Sequence, residues 1–209
     1  DSSTSRGLGD VYKRQPFDDA LRADASPLKK HSVLSDSHPM ALWEKSHDDP
    51  KGIILFVHGR TWSALPDFDL QVDGEELSLM DGMVEKGYGT YAIDLRGYGE
   101  TARDDSQWLS PTKAAVDVIN VTRWISERHQ NIQIHVFGWS YGSVISLLAA
   151  QTDPSNVASL TLFGFWMDLD SDLVKDSSNK VLERRINTAE AAASAVSYTH
   201  LTLPTIYSV

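Results

Sequence analysis

Gly138-Trp139-Ser140-Tyr141-Gly142 sets a serine between two glycines at the spacing G-x-S-x-G. A serine hydroxyl is presented for attack when a sharp strand-to-helix turn pushes it out of the chain. Glycines two positions before and after it then let strand and helix approach closely. The flanks agree: apolar Val136-Phe137 leads in like a buried strand, and Val144-Ile145-Ser146-Leu147-Leu148 leads out like a helix. A helix starting at Tyr141 aims its free N–H groups and positive dipole end at charge developing on a carbonyl oxygen. The spacing alone is weak, because a serine in a tight turn with no chemistry satisfies it equally well. Two more motifs accompany it. His58-Gly59-Arg60-Thr61 directly follows the apolar run Ile53–Val57, and Asp94-Leu95-Arg96-Gly97-Tyr98-Gly99 closes the strand-like stretch Thr90–Leu95.

The elements that must position these motifs follow from periodicity. Met40–Lys45 alternates sides and pairs with a strand near Ser32–Leu34 across an Asp36–Pro39 turn. Ile53–Val57 is a continuous apolar run, as a parallel strand covered on both faces requires. Glu75–Lys86 reads as a helix with Leu77, Met80 and Val84 on one face, ended by Gly87. Ser110-Pro111 opens another helix, with a hydroxyl cap and proline at its first position, and Ala115, Val118, Thr122 and Ile125 continue one face. Ile132–Phe137 is a third buried strand, Tyr141–Gln151 a helix and Leu160–Phe165 a fourth strand. Alternation of this kind calls for an α/β fold with a mostly parallel sheet and helices on both faces.

Three motifs in this order, each ending a strand, resemble the α/β-hydrolase family over about residues 30–165. The resemblance implies that Ser140 is a nucleophile forming an acyl-enzyme. It also implies that the backbone N–H groups of Arg60 and Tyr141 form the oxyanion hole, and that Gly138 and Gly142 shape the turn. His58 and Gly59 then belong to the oxyanion loop, with His58 structural and not a general base, and Asp94 and Arg96 hold their turn together. Arg60 stands where many relatives carry an apolar residue, and an outward, solvated side chain is expected. The implied function is hydrolysis of ester or amide bonds, of the carboxylesterase or aminopeptidase kind. An Asp nucleophile would have pointed to a dehalogenase or epoxide hydrolase. A non-catalytic binding protein, or an acyltransferase or C–C hydrolase on the same fold, is the alternative.

A serine hydroxyl needs a base that is itself oriented by a carboxylate, and in this family the acid and then the histidine follow the serine. After Ser140 stands a single histidine, His200, in a segment without any Asp, Glu, Lys or Arg (196–209). It is rejected as the base, and Asp168 or Asp170 is a secondary candidate for the acid. The expected organisation is a non-native tail at 1–15, the amino-terminal part of the core at 16–167, the start of a cap at 168–195 and a second non-native tail at 196–209. On this expectation the chain is an inactive fragment that stops before the last strands, leaving an open sheet edge prone to association.

Composition bounds the rest. A net charge of −10 over 209 residues argues against nucleic acid as a partner, and no apolar run is long enough to span a bilayer. Cysteine is absent, and His31, His38 and His47 form no ligand pattern, so neither metal nor organic cofactor is expected. The expected partner is a small ester or amide substrate. Oligomeric state is open, and the cytoplasm is the leading expectation for a compartment that the sequence does not fix.

Overall fold

Lys29–Ser35 (β1) and His38–Lys45 (β2) form an antiparallel hairpin with Val33 opposite Met40 and Leu34 opposite Pro39. Asp36 and Ser37 join them with φ of 49° and 65°. Two successive left-handed residues give the turn whose twist matches that of the strands. The structure is a computed structural model that describes residues 27–72, 74–130 and 132–165. The expected tails at 1–15 and 196–209, the expected cap start at 168–195, and Asp168, Asp170 and His200 lie outside the described residues.

The remaining described elements are Ile53–Val57 (β3), Ala64–Phe68 (α1), Leu79–Glu85 (α2), Gly89–Ile93 (β4), Pro111–Arg128 (α3), Ile134–Trp139 (β5), Tyr141–Thr152 (α4) and Ser159–Phe163 (β6). The six strands make one sheet in the order β1-β2-β4-β3-β5-β6. β2 pairs antiparallel with β4, while β4, β3, β5 and β6 run parallel. This is the expected α/β architecture, and its strand alternation divides the core in two. Ile53, Leu55 and Val57 of β3, with Tyr91 and Ile93 of β4, face Val118, Val121 and Ile125 of α3 and Ile145 and Ala149 of α4. Phe56 and Ala92 point the other way, onto Ala64 and Phe68 of α1 and Met80 of α2.

Boundaries moved where side chains compete with periodicity. The helix expected over Glu75–Lys86 begins at Leu79, because the Ser78 hydroxyl accepts the Asp81 N–H at 2.9 Å and caps it there. Leu77 therefore precedes the helix and is half exposed. Its counterpart α3 starts as expected, with Ser110 accepting from Lys113 N–H and Pro111 first. The short α1 has no counterpart in the sequence reading, since Ala64-Leu65-Pro66-Asp67-Phe68 carries a proline and too few residues to show a period.

Candidate active site

Ser140 stands between β5 and α4, at the cap position of α4, and is exposed, with φ 52° and ψ −116°. A non-glycine residue held there is strained by about 1–3 kcal/mol and stays only where its surroundings fix it. Four contacts do so. The Ser140 N–H donates to Phe163 O at 2.8 Å, and the Ser143 N–H donates to Ser140 O at 3.0 Å. The buried Ser143 hydroxyl lies 2.7 Å from Gly138 O and 2.9 Å from Phe163 O. A β-carbon on Gly138 would come within 2.5 Å of Gly142 O, and one on Gly142 would fall on the Val57 carbonyl oxygen. Only glycine fits at either place. Ser143 is a residue of this turn that the sequence reading missed; a small polar residue three after the serine was its one signal.

The loop after β3 lies against this turn. A β-carbon on Gly59 would stand 3.3 Å from Ser140 Cβ, so Gly59 packs on the serine, with the exposed Arg60 next to it. His58 is fully buried, and both ring nitrogens are engaged: Nδ1–H donates 2.7 Å to Gly59 O, and Nε2 accepts the Leu95 N–H at 3.1 Å. A carbonyl can only accept and an amide N–H can only donate, so these partners assign the neutral ring with its proton on Nδ1. Burial pushes its pKa below the usual range. Such a ring shapes a loop and has no nitrogen left to take a proton from Ser140. Tyr98 meets its edge at 5.1 Å between ring centroids. Burial and the Tyr98 phenol push the Tyr141 hydroxyl up, while Arg60 pulls it down, so the Arg60 charge bears on the rim beside the serine.

Asp94 and Arg96 are buried tie-points at the end of β4. Asp94 Oδ1 accepts the Ala64 N–H at 2.8 Å, and Oδ2 accepts Trp43 Nε1–H at 2.9 Å and the Glu100 N–H at 3.0 Å. Arg96 reaches Asp117 through Nε (2.9 Å to Oδ2) and Nη2 (2.6 Å to Oδ1), and Asp104 through Nη1 at 3.0 Å. These partners also escaped the sequence reading. The signal for Asp117 was there: a carboxylate on the α3 face that holds Ala114 and Val118.

Among the described residues the Ser140 hydroxyl has no hydrogen-bonded histidine or carboxylate. No group of three histidine or acidic side chains among them is placed to hold a metal ion, and no helix of theirs is long and apolar enough to cross a membrane.

The model of the family described as serine aminopeptidase, S33, matches residues 48–202, well over half of the chain. The chain belongs to that family. No curated protein matches the chain. Its fold recurs in solved structures of hydrolases. A carboxyl esterase from Bacillus coagulans matches at 22% identity and a TM-score of 0.54, over 65% of this chain and 43% of its own. An epoxide hydrolase from Vigna radiata matches at 17% and 0.53, over 68% and 39%. An esterase from Pyrococcus furiosus matches at 14% and 0.52, over 70% and 54%. Identities this low establish the α/β-hydrolase fold alone, and the chain spans roughly two fifths to just over half of these three structures. The serine aminopeptidase match starts just ahead of β3 and runs past the change in composition near Ala195.

Proposed function

We propose that this S33-family protein hydrolyses ester or amide bonds through an acyl-enzyme on Ser140. The observation that carries the reading is the exposed serine held at φ 52° between two glycines that nothing larger can replace. Ser140 Oγ attacks the carbonyl carbon and its proton passes to a base supplied from outside the described residues. The resulting oxyanion collects the N–H groups of Tyr141, at the start of α4, and of Arg60, beside Gly59. Collapse expels the alcohol or amine, which takes up the proton, and water then releases the acid and frees Ser140. Epoxide hydrolases share the fold, but a serine at the turn is suited to an acyl ester. On this reading the described residues belong to the catalytic core.

The test is turnover by the complete protein of nitrophenyl esters and aminoacyl anilides, beside its Ser140→Ala variant. Ser140→Ala is expected to lose at least about a thousandfold in kcat with its fold intact. Equal turnover by the two proteins would overturn the assignment. Absence of turnover on either class would favour a binding role on the same fold.

A further inference from the structure

Gly59 is the most permissive residue type in a place that demands a fixed backbone, and two groups hold it from opposite sides. The His58 ring donates to Gly59 O at 2.7 Å, and Asp67 Oδ2 in α1 accepts the Gly59 N–H at 3.2 Å. The first contact fixes the plane of the Gly59–Arg60 peptide, in which the Arg60 N–H points opposite to Gly59 O. The second fixes the preceding plane. α1 is itself anchored, because its first residue gives its N–H to Asp94. We propose that Asp67 is a positioning residue of the oxyanion site: its carboxylate pins the Gly59 amide and so keeps the Arg60 N–H directed at the carbonyl that Ser140 attacks. This role rests on the acyl-enzyme reading.

The setting supports it. α1 packs on β3 and β4. The titratable groups of those strands and their ends are committed elsewhere: His58 to Gly59 and Leu95, Asp94 to Ala64 and Trp43, and Tyr91 to His129. On the chain just beyond α1, Asp69 is paired with Lys45, and on the loop Arg60 bears on Tyr141. Among the described residues, then, no cation offsets the Asp67 charge. Burial pushes its carboxyl up to about 7, against the pull of the Gly59 N–H. Among the described residues this half-buried, uncompensated acid makes its one side-chain hydrogen bond to the loop that abuts the serine.

The experiment uses the complete protein and follows two readouts. One is the rate at which a fluorophosphonate labels Ser140 between about pH 6 and pH 9. The other is the Gly59 amide nitrogen shift over the same range. Asp67→Leu is expected to slow labelling about tenfold at the alkaline end of that range, where Asp67 is ionised, the loss of one hydrogen bond to a charged acceptor. Asp67→Asn, which keeps an acceptor oxygen, is expected to stay within about threefold of wild type. The Gly59 shift should titrate near pH 7 in wild type and stay flat in Asp67→Asn. Labelling of Asp67→Leu at the wild-type rate, or a Gly59 amide shift that is the same in wild type and Asp67→Asn at every pH, overturns the role. Should Asp67→Leu fail to fold, the Gly59 titration in wild type and Asp67→Asn decides. Failure of wild type to label at any pH sinks the acyl-enzyme reading first, and the positioning role with it.

Discussion

Ser140 shows how little freedom a nucleophile of this kind leaves its neighbours. Its backbone lies where L-residues are strained, and the strain persists because the amide is tied to β6 and the turn is packed glycine against carbonyl. Gly142 is the most demanding of these positions. Gly142→Ala is expected to destabilise the fold by about 3 kcal/mol or more, because its methyl would displace the β3 backbone and not a movable side chain. Urea unfolding would check it, and a variant within about 0.5 kcal/mol of wild type would show that β3 yields. The glycines and the serine were legible as a pattern because each answers a backbone constraint within five residues. Ser143 and Asp117 left only faint local signs, a small polar residue three after the serine and a carboxylate on the apolar face of α3, and Asp67 lies on a helix too short to show a pattern.

At the scale of elements, the strands and long helices follow from periodicity, with most boundaries shifted by one or two residues and the start of β1 by three. The exceptions have local causes: the Ser78 cap delays α2, and α1 is too short to show a period. What the spacing could not give is how the turn after β4 is held. Arg96 ties that turn to α3 through a two-bonded, buried pair with Asp117, and the same carboxylate accepts the Ser35 hydroxyl of β1 at 2.6 Å. Removing one partner strands the other charge in the interior. Arg96→Met should therefore cost about 3–5 kcal/mol, read from denaturant midpoints. The paired change Arg96→Met with Asp117→Leu should recover part of that loss. A single variant as stable as wild type would mean that Asp117 is solvated in a way the fold does not suggest.

Across the whole molecule, titration links site and stability. Burial lowers the pKa of His58 and of His129, so the unfolded chain binds protons first. Stability from these two is full above about pH 6.5 and falls as pH drops below it. Asp104 is held low by Lys113 and Ser106, with Arg96 adding to them, and it contributes stability that is lost below about pH 4. Asp67 runs the other way. Its raised pKa means that the unfolded chain releases the proton first, so its stabilising contribution drains away as pH climbs from about 4 to about 7. Asp67→Asn should therefore melt higher than wild type at pH 8 and the same at pH 4, as calorimetry would show. A variant that melts lower at pH 8 would contradict a half-buried, uncompensated acid.

The central claim, that Ser140 is an acylating nucleophile, is tested most directly by intact-protein and peptide mass spectrometry of the complete protein after treatment with a fluorophosphonate. The account predicts one adduct, on the peptide that carries Ser140, absent in Ser140→Ala and suppressed by a competing ester. An unmodified Ser140 under conditions that label a control serine hydrolase would contradict it.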